Sequence, residues 1–97
     1  MIKDFNFSLM DSDNKEWIEN GKTITALQVV RKALENTPPN VVPSTADSIK
    51  RFFIIKKIRK EEGKPDLTAD DIVFIKECIG PVFSPLVTGQ MVDFLDS

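Results

Sequence analysis

The sequence predicts a mainly helical α+β domain in which an N-terminal β-ribbon packs on about four helices. Three observations lead there. Within residues 2–9, Phe5, Phe7 and Leu9 recur at every second position, with the two-residue period of a strand. From Thr25 onward, apolar residues recur at helical spacing in separate runs, each preceded by a capping residue. The chain has 97 residues, 41% of them hydrophobic, which suits one modest core and a single domain over residues 1–97.

The ribbon is expected within residues 1–24. Phe5, Phe7 and Leu9 share one face of the first strand. Asp11-Ser12-Asp13-Asn14 is a turn cluster, because these side chains bond their own backbone and tolerate turn conformations. Glu16-Trp17-Ile18 returns as a second strand. Asn20-Gly21 accommodates positive φ before a short third strand at Lys22-Thr23-Ile24. Such a ribbon is marginal alone and must lean on helices.

The helical part covers residues 25–97. Thr25 caps a helix over 26–35, with Leu27, Val30 and Leu34 on one face beside Ala26 and Ala33. A connection at 36–43 holds three of the six prolines and ends that helix. Ser44 and Asp47 form a capping pair for a long helix to about Glu62, with Gly63 as the left-handed stop. That is roughly 18 residues, or about 27 Å. Its Ile49, Phe52, Phe53, Ile54, Ile55 and Ile58 cover more than one stripe. The helix is therefore central to the core or buried on two sides, and Phe52, Phe53, Ile54 and Ile55 are the candidate partner interface. Thr68 and Asp71 cap the next helix, which carries Ile72, Val73, Phe74, Ile75, Cys78 and Ile79 and stops at Gly80-Pro81. Ser84-Pro85 starts the last helix, lined by Leu86, Val87, Met91, Val92, Phe94 and Leu95. Gly89 inside it costs about 1 kcal/mol relative to Ala and is expected to serve close packing on the long helix, or contact with a partner's backbone.

Composition narrows the chemistry. With no His, the commonest neutral-pH proton shuttle and metal ligand is missing. With one Cys there is no intrachain disulfide and no cysteine-based zinc site, and a reducing compartment is expected. Asp11 and Asp13 read as a turn, without the glycine and distant glutamate of a calcium loop. Cys78 falls on an apolar helix face and reads as packing. Gly21, Gly63, Gly80 and Gly89 are too far apart for a phosphate loop. No catalytic residue, metal or cofactor is therefore assigned. Residues 1–10 hold Lys3 and Asp4 without the apolar run of a secretory signal. Apolar runs as short as Phe52 to Ile55 are far short of a membrane span, and no membrane partner is expected.

The net charge of -2 conceals an uneven distribution. Residues 45–64 hold seven basic and three acidic residues, net +4; residues 65–97 hold one Lys and six acids, net -5. The two segments face each other within one molecule, or they mark a partner surface. Lys50, Lys57 and Lys64 recur on one helix edge, with Lys56 and Lys60 nearby. That stripe is the candidate nucleic-acid contact. Against it stand the acidic total and the expectation of no exposed aromatic platform. A protein partner or self-association is the favoured reading, and nucleic acid the alternative.

The order of features is similar to a known group. The ribbon ends in Asn20-Gly21-Lys22-Thr23-Ile24-Thr25 before a short helix with Leu27 and Leu34. A Lys/Arg-rich helix follows, then Leu67-Thr68-Ala69-Asp70-Asp71-Ile72 with Ile75-Lys76. Ser84-Pro85-Leu86-Val87-Thr88-Gly89-Gln90 leads to Phe94-Leu95. This resembles small hypothetical proteins of tailed phages and prophages. The resemblance implies a virion component or assembly factor, such as a tail assembly chaperone or accessory structural protein, in the host cytoplasm or the particle. It implies no catalytic residues.

Overall fold

The computed structural model describes residues 1–97. The elements run β1 (Ile18–Glu19), β2 (Lys22–Thr23), α1 (Ala26–Glu35), α2 (Thr45–Lys60), α3 (Ala69–Ile79) and α4 (Pro85–Asp96). This is the expected mainly helical α+β arrangement. No helix is long and apolar enough to cross a membrane.

The ribbon is smaller than the alternation suggests. Only β1 and β2 form a ladder, antiparallel, with Ile18 opposite Thr23 and Glu19 opposite Lys22. Asn20 (φ 52°) and Gly21 (φ 77°) turn it, as a two-residue hairpin with both central residues at positive φ requires. Residues 2–9 join no strand: Ile2 and Ser8 make only isolated bridges to Asp66 and Thr25, and the chain bends at Phe7, whose amide donates to the Phe5 carbonyl at 3.0 Å. Lys3 and Phe5 donate to the carbonyls of Pro65 and Gly63 (3.1 and 2.8 Å), and Leu9 donates to Ile24 (2.9 Å). The Phe7 carbonyl accepts from Ala26. The backbone is thus satisfied by a loop on one side and the start of α1 on the other. The alternation is still used: Lys3, Phe5 and Leu9 point inward and are buried, with Phe7 packed against the core.

Three helix starts follow their capping residues. Thr25 Oγ1 accepts from the Gln28 amide while the Gln28 side chain accepts from that of Thr25. Thr68 and Asp71 are reciprocal in the same way, both at 3.1 Å. Ser44 Oγ accepts from the Asp47 amide. Ser84 makes no side-chain capping bond; the fixed φ of Pro85 at the first helical position starts α4 without one.

Helix α1 lies at the centre, packed against α2 and α3, and α4 packs on α3. Its buried face is Ala26, Val29, Val30, Ala33 and Leu34, one position round from the expected one, so Leu27 is only partly buried. Ile54, Ile58, Leu67, Ile75, Ile79, Met91 and Leu95 complete most of the core. Phe94 packs on Phe5 and Phe7 at ring separations of 5.0 and 4.7 Å.

Two glycines differ from their expected roles. The stop of α2 is shared. Glu62 (φ 53°) takes the left-handed position, its amide donating to Arg59, and Gly63 (φ 86°) follows, its amide donating to Ile58. A Cβ on Gly63 would stand 2.8 Å from Asn6 Nδ2, in an amide held by Asp4 and the Glu62 carbonyl. Gly89, expected in close packing, meets nothing within 4 Å and lies on the exposed side of α4. That correction removes its packing role.

The two sites therefore respond oppositely to the same substitution. Gly63→Ala is expected to destabilise the fold by more than about 1 kcal/mol, from strain and crowding. Gly89→Ala is expected to stabilise it by about 0.5–1 kcal/mol, the helix-propensity difference. Urea denaturation of both variants measures this, and equal signs would contradict the description of either site.

Candidate functional site

Helix α2 carries apolar residues on two opposite sides, and only one side is covered. The inward side is Arg51, Ile54 and Ile58, spaced three and four residues apart. Ile54 is 2% exposed and belongs to the core. Ile55 is partly buried against it. The expected four-residue partner interface is thereby corrected: Ile54 is unavailable because it packs inward, and Ile55 only borders the surface. Phe52 and Phe53 are 58% and 56% exposed on the outward side, with Ile49 one turn earlier. Val41 and Val42 of the preceding connection are exposed as well.

Arg51 fixes this orientation. Its side chain is only 13% exposed. Its Nε donates to Asp47 Oδ2 at 2.9 Å, one helical turn earlier. Its Nη1 donates to the carbonyls of Ala33, Leu34 and Asn36 at 2.9, 3.3 and 3.2 Å. The guanidinium thus occupies the negative end of α1, where carbonyls lack helical partners. Its charge also lies 5.8 Å from the Phe74 ring of α3. In the sequence Arg51 counted as one of seven basic residues. The overlooked signal is its phase: Asp47 and Arg51 are four apart, and Arg51 is in register with Ile54 and Ile58.

The expected lysine stripe divides. Lys50 Nζ lies 4.8 Å from the Phe74 ring centroid, and Lys57 Nζ pairs with Asp71 Oδ2 at 2.9 Å. These two lysines are turned to α3. Lys64 lies beyond the end of α2, near Asp4. Lys56 and Lys60 remain exposed without an acidic partner. Lys56 Nζ sits 5.6 and 5.7 Å from the Phe52 and Phe53 ring centroids. Contrary to expectation, an exposed aromatic pair does stand among basic residues. Its rings are tilted by 54° with centroids 6.2 Å apart. A shallow hollow of about 530 Å³ beside Phe53 is rimmed by Lys56, Lys57, Arg59 and Lys60. Arg59 also borders a 270 Å³ cleft toward α1, floored by Leu27, Ile55 and Ile58.

Lys57–Asp71 is the only ion pair joining the basic segment to the acidic one. Burial pushes the Asp71 carboxyl up. The hydrogen bond from Lys57 and the capping bonds with Thr68 outweigh it and hold the group below the usual carboxylate value. Burial pushes the Cys78 thiol up, as suits a packed side chain on α3. Asp11 accepts from the amides of Asp13 and Lys15, closing the expected turn. Gln90, in the segment Ser84 to Gln90, pairs both ways with the Met10 backbone at 2.8 Å.

Comparison with known proteins returns no match to a family model, to a curated protein or to a solved structure.

Substitutions on α2 should separate its two sides. Ile54→Ala is expected to cost about 2–5 kcal/mol through lost burial and a cavity. Arg51→Ala should cost a comparable amount, because the Asp47 carboxylate and three carbonyls lose their donor. Phe53→Ala should change stability by less than about 0.5 kcal/mol, as at an uncovered surface. Denaturation midpoints at constant slope test the set, and a large loss at Phe53 would contradict its exposure.

Asp71 supplies a pH dependence. A depressed folded pKa gives stabilisation that is complete above the unfolded value, near 3.9, and is lost as pH falls through the folded value. Asp71→Ala is therefore expected to lower stability at pH 7 by about 1 kcal/mol, mostly through the cap, since the half-exposed Lys57 pair is screened. Below about pH 4 the gap from wild type should narrow. Thermal melts at both pH values check the sign; an unchanged gap would mean the carboxylate charge contributes nothing.

Proposed function

We propose that this chain is a non-enzymatic docking protein that assembles with other protein through the outward face of α2. The proposal includes the setting that its residue order suggests, a structural or assembly factor of a tailed phage or prophage. The observation that carries the docking reading is the uncovered row Ile49, Phe52 and Phe53. It is opposite the core side of the same helix and is held outward by Arg51. Helix recognition commonly uses anchors at positions i, i+3 and i+4, which is the spacing here. Large exposed aromatics without a covering segment are characteristic of protein interfaces.

A nucleic-acid reading draws on one specific observation, the Lys56 ammonium over both rings of an exposed aromatic pair. Protein docking accounts better for the rest. Lys50 and Lys57 are engaged with α3 rather than presented along a phosphate track. The tilt between the rings offers no common plane for successive bases. The total charge is -2.

Fluorescence anisotropy with labelled single-stranded and duplex DNA and RNA, at about 50 and about 200 mM salt, separates the readings. No saturable binding is expected at either concentration. Binding that weakens steeply with salt, and that Lys56→Glu with Lys60→Glu abolishes, would replace protein docking by the nucleic-acid reading.

A further inference from the structure

We infer that the partner of the α2 face is the acidic α3 face of a second copy of this chain. The inference rests on the docking reading above and names its occupant. Helix α2 presents Ile49, Phe52 and Phe53, then Lys56 and Lys60, all outward. Helix α3 presents Asp70, Val73 and Glu77 at positions i, i+3 and i+7, all exposed, with Val73 the apolar centre of an acidic row. Neither Lys56 nor Lys60 has an acidic partner within the molecule, and neither Asp70 nor Glu77 has a basic one. The +4 and -5 segments therefore neutralise each other only through Lys57 and Asp71.

Charge selects among occupants. Pairing α2 with α2 of another copy sets like-charged lysines together, which is unfavourable. Pairing α2 with α3 of another copy sets lysines against carboxylates and the Phe pair against Val73. The two helices are neighbours, joined by Lys57–Asp71 and by Lys50 over Phe74. A two-fold axis then places α2 of each copy on α3 of the other and uses both faces twice. Such a self-complementary contact closes as a dimer, the commonest symmetric assembly.

Light scattering behind gel filtration at about 100 μM protein tests this with two charge reversals. One variant combines Lys56→Glu with Lys60→Glu; the other combines Asp70→Lys with Glu77→Lys. Wild type is expected at twice the 10.9 kDa of one chain, shifting toward one chain as salt rises. Each variant alone is expected at the mass of one chain, with circular dichroism confirming that it is folded. Their equimolar mixture is expected to regain the double mass, because each reversed face then meets an opposite charge. A misfolded variant could not produce that recovery. A wild-type chain that stays single at all salts, or variants that dimerise alone, would overturn the inference. A single wild-type chain that also binds no nucleic acid overturns self-pairing and leaves α2 to dock a different protein. Salt-dependent nucleic-acid binding removes the docking reading itself.

Discussion

The arrangement of the four helices depends on where one guanidinium sits. Arg51 belongs to α2, yet it completes α1, whose last carbonyls have no helical donor. A planar group with several fixed donors can serve three carbonyls and one carboxylate at once, which an ammonium on a flexible stem does poorly. Its charge is compensated on one side by Asp47 and on the other by the negative end of α1. Since α1 lies at the centre, setting its end against Arg51 also sets the roll of α2. With Arg51, Ile54 and Ile58 turned inward, Ile49, Phe52 and Phe53 have nowhere to go but outward. The exposed aromatic face is thus a geometric by-product of satisfying the end of another helix.

A similar solution recurs where the N-terminal segment meets the end of α4. Lys3 is buried, and its ammonium donates to the main-chain oxygens of Phe94 and Ser97 at the end of α4, over the Phe94 ring. Gln90 does for the N-terminal segment what a strand neighbour would, its amide both donating to and accepting from Met10. Side chains therefore supply many of the connections that a larger sheet would make with its backbone. A small domain with only a two-pair hairpin has few other means of holding an extended segment in place.

The legible parts of this fold were those governed by neighbours along the chain. Helix starts at Thr25, Ser44 and Thr68 follow from hydroxyls three residues ahead of the amides they cap. The turn at Asn20-Gly21 follows from tolerance of positive φ. What periodicity alone could not decide was which of two apolar sides of α2 is covered. Ile54 and Phe53 are adjacent and comparably hydrophobic, yet one is core and the other surface, because a third element determines the roll. Residues 2–9 read as a strand because a strand and a strap share the same alternation. They differ in the bend at Phe7 and in where the backbone hydrogen bonds go, and Pro65 and Gly63 are distant in sequence. At the candidate site, the Phe pair and the lysines were visible as residue types. Their division between α3 and the outward surface was not.

The strap formed by residues 1–9 also governs the order in which the molecule can complete itself. Its partners at 63–67 and 94–97 emerge from the ribosome long after it does. During synthesis, α1 and the hairpin can form by local contacts, but Phe5 must remain outside any finished core until α3 and α4 exist. The growing chain thus leaves Phe5 unburied until residues 63–67 and α4 have been made, and the strap closes in a late, non-local step.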